Sequence, residues 1–474
     1  MGHQKMRWDQ LLCDERQGHE EHPDETLRER SQFERDFDRI IFSESLRRLK
    51  DKTQVFPVTD NDHVHNRLTH SLEVSCIGRS LGRLVGVVII DKHRDGHLKK
   101  LIDKGLNEAS FGALVQAACL AHDIGNPPFG HSGENAIQSW FYSEKGKKHL
   151  ETMSEEEKED LEWFEGNAQG FRILTRSERQ AKRKSLQLTF ATLATFTKYP
   201  RESLIKDKKS LRKRERESVK YEESKRNKYG FFQCEKEIFK EVAEKTGLIP
   251  LGNNDAAWWC RHPLAFLVEA ADDICYRIMD LEDGFNMGCI DYPMTKKLLI
   301  NIAGSQYEEK LESGNSQSEL RENIRYLRGK AINKLIDVAA KTFIENEEGL
   351  LTGEFDKPLL HAVEDKIKEI KKEIKAKVYN CQEVLSIEIA GYDVISALLD
   401  EFMTAINDDV SSRDPRNKKG EKVNKLLSER FFEEQLGSKR YLNALKVIDY
   451  IAGMTDSYAV TLFRQIKGIS LPRR

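Results

Sequence analysis

The spacing of apolar residues along the chain is mainly that of helices. Between positions 28 and 50, apolar side chains recur every three to four residues, as on one face of an amphipathic helix. Residues 109–121 are small and apolar almost throughout, which is typical of a helix buried on every side. Residues 263–280 show a similarly dense pattern that carboxylates interrupt. With only 11 prolines and little strict alternation, the chain is predicted to be mostly α.

Other segments complete this outline. Further helices are predicted from Thr69, which would be the N-cap, and over 327–341, 363–377, 391–405 and 441–465. Residues 53–58 are β-prone and lead into a polar cluster, so we expect a short strand or extended loop, one arm of a small β-hairpin. A mobile loop is expected over 409–423.

Basic and acidic residues are balanced over the whole chain but not in one segment. The chain has 77 Lys and Arg against 79 Asp and Glu, which gives no overall case for nucleic-acid binding. Residues 201–228, however, hold twelve basic and six acidic residues with few apolar ones, and they predict an exposed basic arm or hairpin. Any nucleic-acid contact would therefore be local.

Two classes of protein are excluded by composition. No apolar run approaches the length of a membrane span, and the first residues lack the apolar core of a secretory signal, so we expect a cytoplasmic protein. The eight cysteines are scattered without a CxxC pair. This distribution favours reduced, packed thiols over disulfides or a zinc–thiolate site.

Four residues could bind a divalent metal. His70 opens a helix, His122 and Asp123 end the buried helix 109–121, and Asp272 interrupts the apolar helix 263–280. Imidazole and carboxylate groups that converge from rigid elements are what such an ion requires. Each residue alone has a more ordinary explanation, because a histidine at a helix start is usually a cap and an Asp-Asp pair is usually a solvated face.

A second group follows the buried helix. Residues 125–130 read Gly-Asn-Pro-Pro-Phe-Gly, which must break the helix, and His131 follows this turn. A helix restarts from Gly133, so Glu134 would share a face with His131 and could raise the pKa of the imidazole. The pair predicts an acid or base, although His131 could also only cap the new helix.

The combination of these residues resembles the HD-domain metal-dependent phosphohydrolases. Longer strings resemble the deoxyguanosinetriphosphate triphosphohydrolase branch of that superfamily, and they cover most of the chain in order. The strings are RSQFERDFDRIIFSESLRRLKDKTQVF, HNRLTHSLEVS, ACLAHDIGNPPFGHSGENAI, WFEGNAQGFRIL, ATFTKYP, KYGFF, PLAFLVEAADDICYRIMDLEDG and DYIAGMTDSYA.

The resemblance implies an architecture. It is an HD-domain helical core with a small β-hairpin and additional helical lobes. We expect a catalytic core over 28–290, with the basic arm at about 201–228 as an insertion. Residues 291–474 would form a C-terminal helical region that completes the core and makes oligomer contacts. The family also implies a homo-oligomer, commonly a hexamer.

The resemblance also implies a reaction, the hydrolysis of deoxynucleoside triphosphates, with dGTP favoured, to deoxynucleoside and inorganic triphosphate. The metal would be Mn²⁺ or Mg²⁺, and the family positions of its ligands correspond to His70, His122, Asp123 and Asp272. His131 and Glu134 correspond to the catalytic pair. We prefer Asp272 to Asp273 because it follows two alanines, as the ligand does in the resembled proteins, and because Tyr276 and Asp280 share its helix face.

Substrate-binding residues are implied in the same way. Arg67, three residues before His70, is the first candidate for the triphosphate, and Lys198, Tyr199 and Lys228 match triphosphate-binding positions. Tyr276 would pack against the deoxyribose and exclude a 2′ hydroxyl, with Asp280 facing the same pocket. Gln54 is either a base or sugar contact or only structural.

Two alternatives stay open at this point. The chain could be an HD phosphohydrolase of another nucleotide, against which the triphosphate-binding lysines argue. It could also bind single-stranded nucleic acid through the basic arm, a role that some members of the resembled family combine with hydrolysis. A solvated hairpin without such a role is the plainer interpretation of the arm.

Overall fold

The computed structural model describes residues 4–17, 30–56, 64–176, 185–204, 228–251, 257–311, 316–411, 418–428 and 440–470. Within these ranges the chain is almost entirely helical, and strand pairing is limited to isolated bridges. The prediction of a mostly α fold is therefore confirmed. None of the described helices is both long enough and apolar enough to cross a membrane.

The helices described in the first half of the chain carry His70 and the His131–Glu134 pair. They are α1 (Trp8–Leu11), α2 (Gln32–Ile41), α3 (Glu44–Arg48), α4 (Arg67–His93), α5 (Lys99–Asp103), α6 (Glu108–Ala121), α7 (Gly130–Tyr142), α8 (Glu144–Leu150), α9 (Glu155–Glu162), α10 (Gly166–Thr175), α11 (Phe190–Phe196) and α12 (Lys236–Thr246).

The second half continues with longer helices. They are α13 (Ala265–Asn286), α14 (Tyr292–Ala303), α15 (Gln317–Glu345), α16 (Glu347–Leu351), α17 (Glu364–Lys377), α18 (Gln382–Ser411), α19 (Lys418–Ser428), α20 (Arg440–Ala452) and α21 (Asp456–Ile466).

Helix α4 starts earlier than predicted. Its N-cap is Asn66, whose Oδ1 accepts from the Thr69 amide at 3.0 Å, while Thr69 Oγ1 accepts from the Asn66 amide at 3.0 Å. Thr69 is therefore the partner in a capping box and not the cap itself. His70 consequently follows the first three helical residues and faces inward, where it is buried.

Close packing of α4 on α6 brings the first predicted ligands together. As predicted, α6 is buried almost throughout. A Cβ atom at Gly82 of α4 would lie 2.6 Å from the Phe111 carbonyl oxygen of α6, so the two backbones approach as only glycine allows. This contact aligns the start of α4 with the end of α6, where His70 and His122 lie.

One local prediction is not confirmed and two differ from the structure. Thr53 forms an isolated antiparallel bridge with Asn66, no hairpin ladder occurs in the described residues, and residues 57–58 of the predicted strand or loop lie outside them. Part of the expected loop 409–423 is helical, because α19 begins at Lys418. The predicted helix 441–465 is two helices, since the segment 453–455 ends α20 and Thr455 caps α21 through the Tyr458 amide. Residues 205–227 of the basic arm lie outside the described residues.

The C-terminal helices pack directly against the segment that carries His131. A second hydrophobic cluster joins residues 129–168 to residues of α18, α20 and α21. A Cβ atom at Gly391 of α18 would lie 2.9 Å from Cγ of Phe129. The end of the chain therefore supports the turn between α6 and α7. The division into regions 28–290 and 291–474 stays a prediction.

Candidate metal and catalytic centre

Three of the four predicted metal ligands lie together. The ligand atoms of His70, His122 and Asp272 are all within 4.8 Å of one another. Asp272 Oδ1 lies 3.2 Å from His70 Nε2 and 3.5 Å from His122 Nε2. The three residues come from the start of α4, the end of α6 and the middle of α13, so helix packing alone assembles the group.

The imidazole of His122 is oriented for a cation. Its Nδ1 donates to the Cys119 carbonyl oxygen at 2.8 Å, and because a carbonyl only accepts, the ring proton lies on Nδ1. In the neutral ring, the form that can bind a metal, the lone pair is then on Nε2, which is buried and has no hydrogen-bond partner among the described groups. A buried acceptor without a partner is costly unless something binds it, and a metal ion fits this donor set.

Asp123 lies beside this cluster but is held differently. Its Oδ2 accepts from Arg67 Nη1 at 2.7 Å and its Oδ1 accepts from Asn126 Nδ2 at 2.6 Å. The same Oδ2 is 3.6 Å from His122 Nε2. Burial would raise the pKa of Asp123, but the neighbouring His122, in its protonated form, and the Arg67 guanidinium lower it to about 2. The carboxylate is therefore ionised at the edge of the three-residue group.

The two neighbouring acids on α13 face different partners. Asp272 meets the two histidines, whereas Asp273 Oδ1 lies 3.4 Å from Arg277 Nη2. Burial raises the pKa of Asp273 to about 6, with a further contribution from Glu269. The two histidines beside Asp272 have the opposite effect, since they lower its pKa well below the ordinary value despite burial.

His131 and Glu134 form a hydrogen-bonded pair where α7 begins. The His131 Nδ1 donates to Glu134 Oε2 at 2.8 Å, and the Gly166 amide donates to Glu134 Oε1 at 2.8 Å. The imidazole is 79% exposed, while the carboxylate is only 5% exposed. Helix α7 begins at Gly130 and not at Gly133 as predicted, so both residues are helical and three positions apart.

The ionisation of this pair follows from its contacts. The hydrogen bond and the negative charge of Glu134 raise the pKa of His131. Burial would raise the pKa of Glu134, but the hydrogen bond from His131 and the charge of Lys228 lower it. The pair therefore consists of an imidazole that holds a proton strongly and an anchored, ionised carboxylate.

The turn before His131 has an unusual backbone. Phe129 has φ 64°, in the left-handed region that a bulky residue rarely adopts, and Gly130 has φ 58°. The Arg67 guanidinium lies over Gly130, where a Cβ atom would overlap it. At Gly125 a Cβ atom would overlap the backbone of α10, so glycine is required there as well.

The predicted triphosphate-binding cations each lie beside a carboxylate. Arg67 pairs with Asp123, Lys198 Nζ is 3.2 Å from Glu269 Oε1, and Lys228 Nζ is 2.5 Å from Glu165 Oε2. Lys228 Nζ also lies 3.8 Å from Glu134 Oε2, which places it next to the predicted catalytic pair. The Tyr199 ring lies 5.8 Å from Lys198 Nζ.

The remaining predicted contacts lie further along α13 and before α4. The Tyr276 and Tyr379 ring centroids are 6.2 Å apart, and the Tyr379 hydroxyl donates to Asp280 Oδ2 at 2.7 Å. Burial raises the pKa of Asp280 to about 8. The Oε1 atom of Gln54 is buried without a hydrogen-bond partner in the part of the chain that the structure describes.

Several residues of this neighbourhood were not among the predicted ones. Asn126 orients Asp123, Glu165 pairs with Lys228, and Tyr379 contacts Asp280. Lys52 is buried and donates to the carbonyl oxygens of Asn126 and Ala452 at 2.6 and 2.7 Å. The sequence signal for Asn126 and Glu165 was their position inside the quoted strings. Tyr379 had no such signal.

Two segments of the chain match models of known protein families. Residues 67–193 match the model of the HD domain, and residues 359–465 match the model of the phosphohydrolase-associated domain. With the histidine–aspartate group, these matches define the class of the protein, a metal-binding hydrolase with an HD domain. Asp272 lies outside the first matched range, so α13 supplies it from beyond the matched segment.

Related proteins define the family within this class. A deoxyguanosinetriphosphate triphosphohydrolase-like protein of Synechocystis sp. is 45% identical over 98% of this chain and 100% of its own length. One of Pseudomonas aeruginosa is 40% identical over 98% and 100%. A deoxyguanosinetriphosphate triphosphohydrolase of Klebsiella pneumoniae is 31% identical over 92% and 94%. The chain belongs to the deoxyguanosinetriphosphate triphosphohydrolase family of HD-domain proteins.

Proposed function

We propose that this protein hydrolyses deoxynucleoside triphosphates, with dGTP as the favoured substrate, to the deoxynucleoside and inorganic triphosphate. The observation that carries the proposal is the position of the His131–Glu134 pair, with Lys228 beside it and Arg67 lying between Gly130 of the turn and Asp123 at the edge of the metal group. The names of the relatives support the substrate class.

The metal, which we take to be Mn²⁺ or Mg²⁺, would be held by His70, His122 and Asp272, with Asp123 as the fourth ligand. The unpartnered Nε2 of His122 supports this assignment. A bound divalent cation supplies a Lewis acid for a phosphoryl oxygen and lowers the pKa of bound water. Arg67 holds Asp123 ionised and aligned beside the group.

His131 is assigned the role of general acid. Water adds to the α-phosphorus and the bond from phosphorus to the 5′ oxygen breaks, so the departing oxygen needs a proton. The raised pKa of His131 favours the protonated ring, in which Nδ1 donates to Glu134 and Nε2 carries the proton for the departing oxygen. Glu134 fixes the ring orientation because its other oxygen is anchored by the Gly166 amide.

Binding of the triphosphate is assigned to Arg67, Lys198 and Lys228. Each cation already lies beside a buried or partly buried carboxylate, so its position is fixed before substrate arrives. Charge-assisted hydrogen bonds from these groups would offset the roughly four negative charges of the triphosphate. The Tyr199 ring lies 5.8 Å from Lys198 Nζ and would contact the phosphates or the sugar.

Selection of the sugar and base is assigned to Gln54, Tyr276 and Asp280. The aromatic ring of Tyr276 would pack against the deoxyribose and exclude a 2′ hydroxyl. Asp280, with its raised pKa and its bond from Tyr379, is a hydrogen-bonding group next to that ring. The unpartnered Oε1 of Gln54 would gain a donor from the substrate, which offsets the cost of its burial.

Product analysis tests the proposal. Each of the four dNTPs is incubated with the protein and Mn²⁺ or Mg²⁺, and the products are separated by anion exchange. We expect deoxynucleoside and inorganic triphosphate, with dGTP turned over fastest and GTP hardly at all. Release of dNDP, dNMP or pyrophosphate would refute the reaction. A Tyr276→Ala variant should gain activity toward GTP relative to dGTP, and unchanged discrimination would refute the role of Tyr276.

The single-stranded nucleic-acid role and the hexamer stay predictions of the sequence. Most of the arm lies outside the described residues, so no contact of its side chains bears on either. A variant lacking 208–225 should lose salt-dependent DNA binding if the arm has this role. Unchanged binding would remove the arm from the account without affecting the hydrolase assignment.

A further inference from the structure

Asp456 connects the end of the chain to both sides of the catalytic centre. It is the first residue of α21 and is 7% exposed. Its Oδ1 accepts from the Phe129 amide at 2.9 Å, and its Oδ2 accepts from the Thr53 amide at 2.9 Å and from Thr53 Oγ1 at 2.6 Å. One buried carboxylate therefore binds two segments that are each hundreds of residues away in sequence.

The hydrogen bond between Asp456 and Phe129 lies at a residue of the turn with an unfavourable backbone conformation. Phe129 adopts the left-handed conformation, which costs a bulky residue free energy and persists only when its surroundings impose it. Its ring packs against Gly391, and Asp456 holds its amide. Gly130 and His131 follow at once, so the position of the Phe129 backbone decides where α7 begins and where the imidazole lies.

The bonds to Thr53 reach the other side of the centre. Gln54 is the next residue, and its side-chain oxygen Oε1 has no hydrogen-bond partner among the described residues. The neighbouring Lys52 ties the same two segments together, because its Nζ donates to the carbonyl oxygens of Asn126 and Ala452. The segment 52–54 and the turn 126–131 are thus held in one register by residues 452–456.

We propose that Asp456 is a positioning residue for the hydrolytic reaction, which fixes the His131 turn and the Gln54 segment relative to each other. This inference rests on the proposed function. Asp456 does not touch the reacting atoms and acts through the backbone amides of Phe129 and Thr53. A carboxylate suits this role because each of its oxygens accepts a charge-assisted hydrogen bond from a different segment.

The first test compares Asp456→Asn with Ser457→Ala. An asparagine side chain has one acceptor oxygen, so its amide nitrogen must face either the Phe129 amide or the two Thr53 donors. A displaced His131 should lower kcat about 10- to 100-fold, as small misplacements of catalytic groups do. Ser457 is the matched control, since its exposed hydroxyl donates to Asp51 Oδ1 at 2.9 Å from the same helix and has no hydrogen bond to the turn among the described residues. Its variant should stay within about twofold of wild type.

A second pair of variants separates the two sides. Thr53→Val removes only the Oγ1 bond and leaves the Phe129 amide bonded to Asp456. We expect it to raise KM for the dNTP several-fold with little change in kcat, and Thr53→Ser should restore the wild-type value. Equal losses of kcat in Asp456→Asn and Thr53→Val, with matching losses of thermal stability, would show a merely structural role and overturn the proposal.

The decisive readout does not need turnover. In Mg²⁺-loaded protein labelled with ¹³C-histidine, the His131 resonance is assigned with His131→Gln and titrated in each variant. Glu134, Arg67 and Lys228 are the charged groups that influence this imidazole. Asp456→Asn should lower its pKa toward the ordinary value, whereas Ser457→Ala should not. An unchanged titration in folded Asp456→Asn would overturn the inference. Failure of wild type to hydrolyse any dNTP would instead overturn the proposed function.

Discussion

The two halves of the centre are built in different ways. The His70, His122 and Asp272 group is assembled by three helices, and its members are held by one another and by a backbone carbonyl of α6. The His131–Glu134 pair instead follows a turn with two prolines and a left-handed phenylalanine. The first half depends on the packing of the core, and the second depends on a few individual hydrogen bonds from distant residues.

Exposure shows the same contrast. His70 is buried and His122 is partly buried, whereas the His131 imidazole is exposed and is hydrogen-bonded to the buried carboxylate of Glu134. A metal group benefits from a rigid environment that excludes other ligands, while an acid must reach a leaving atom that arrives with the substrate. The comparison suggests that metal binding and proton transfer can be lost separately, which variants can test.

The largest effect is expected from Asp272→Asn. Loss of a carboxylate ligand between two histidines should remove the metal and lower kcat about a thousandfold or more, because a bound metal stabilises the transition state by several kcal/mol. Metal content is measured by inductively coupled plasma mass spectrometry. Asp273→Asn is the control, since Asp273 faces Arg277 and should keep both metal and activity. Metal loss in the control instead would reverse the assignment of the two acids.

The next largest effect is expected from His131→Gln. General acid catalysis contributes about 10²- to 10⁴-fold, and kcat should fall by that factor while metal content stays at the wild-type level. Metal binding by the histidine–aspartate group and proton transfer by His131 would then be separable, as the different contacts that hold the two groups imply. A parallel loss of bound metal would show that the turn and the metal group form one unit, and the comparison would be wrong.

A smaller effect, with a change in pH dependence, is expected from Glu134→Gln. The carboxylate raises the pKa of His131, so its removal lets this pKa fall toward the ordinary 6.5. The imidazole then loses its proton at lower pH, and the alkaline limb of the kcat profile moves to lower pH, with kcat reduced about tenfold or more at neutral pH. An alkaline limb at the wild-type position would exclude His131 as the group that it reports.

The smallest effect is on stability. Gly125→Ala places a Cβ atom against the backbone of α10 and should lower the free energy of unfolding by about 1–3 kcal/mol, measured in urea. Gly329→Ala in α15 meets no atom within 4 Å and should instead stabilise the protein by about 0.5–1 kcal/mol. Equal effects at the two positions would argue against the tight contact between the turn and α10.

The sequence predicted a helix well where its apolar pattern is dense. Residues 109–121 could be assigned as a buried helix because nearly every position is small and apolar. The choice of Asp272 over Asp273 used helix periodicity and the resemblance, and the structure places Asp272 beside both histidines and Asp273 beside Arg277. At 53–58 the sequence could not distinguish a strand from an extended loop, because a β-prone run does not show whether a partner strand exists.

Contacts between distant segments could not be predicted from the sequence. The bonds from Phe129 and Thr53 to Asp456 join residues whose separation in the chain hides any local pattern. An aspartate after a threonine reads as an ordinary helix start, and Thr455 does cap α21. Only the packing of α21 against the turn shows that the carboxylate of Asp456 faces inward.

The central claim is that one cation binds between His70, His122 and Asp272, beside His131. It is tested most directly by an anomalous difference map from a crystal of the protein soaked in Mn²⁺ with a non-hydrolysable dGTP analogue. We expect a single strong peak about 2 Å from the imidazole and carboxylate atoms of the three residues, with the α-phosphate between the peak and His131. A peak elsewhere, or no peak among these side chains, would contradict the account.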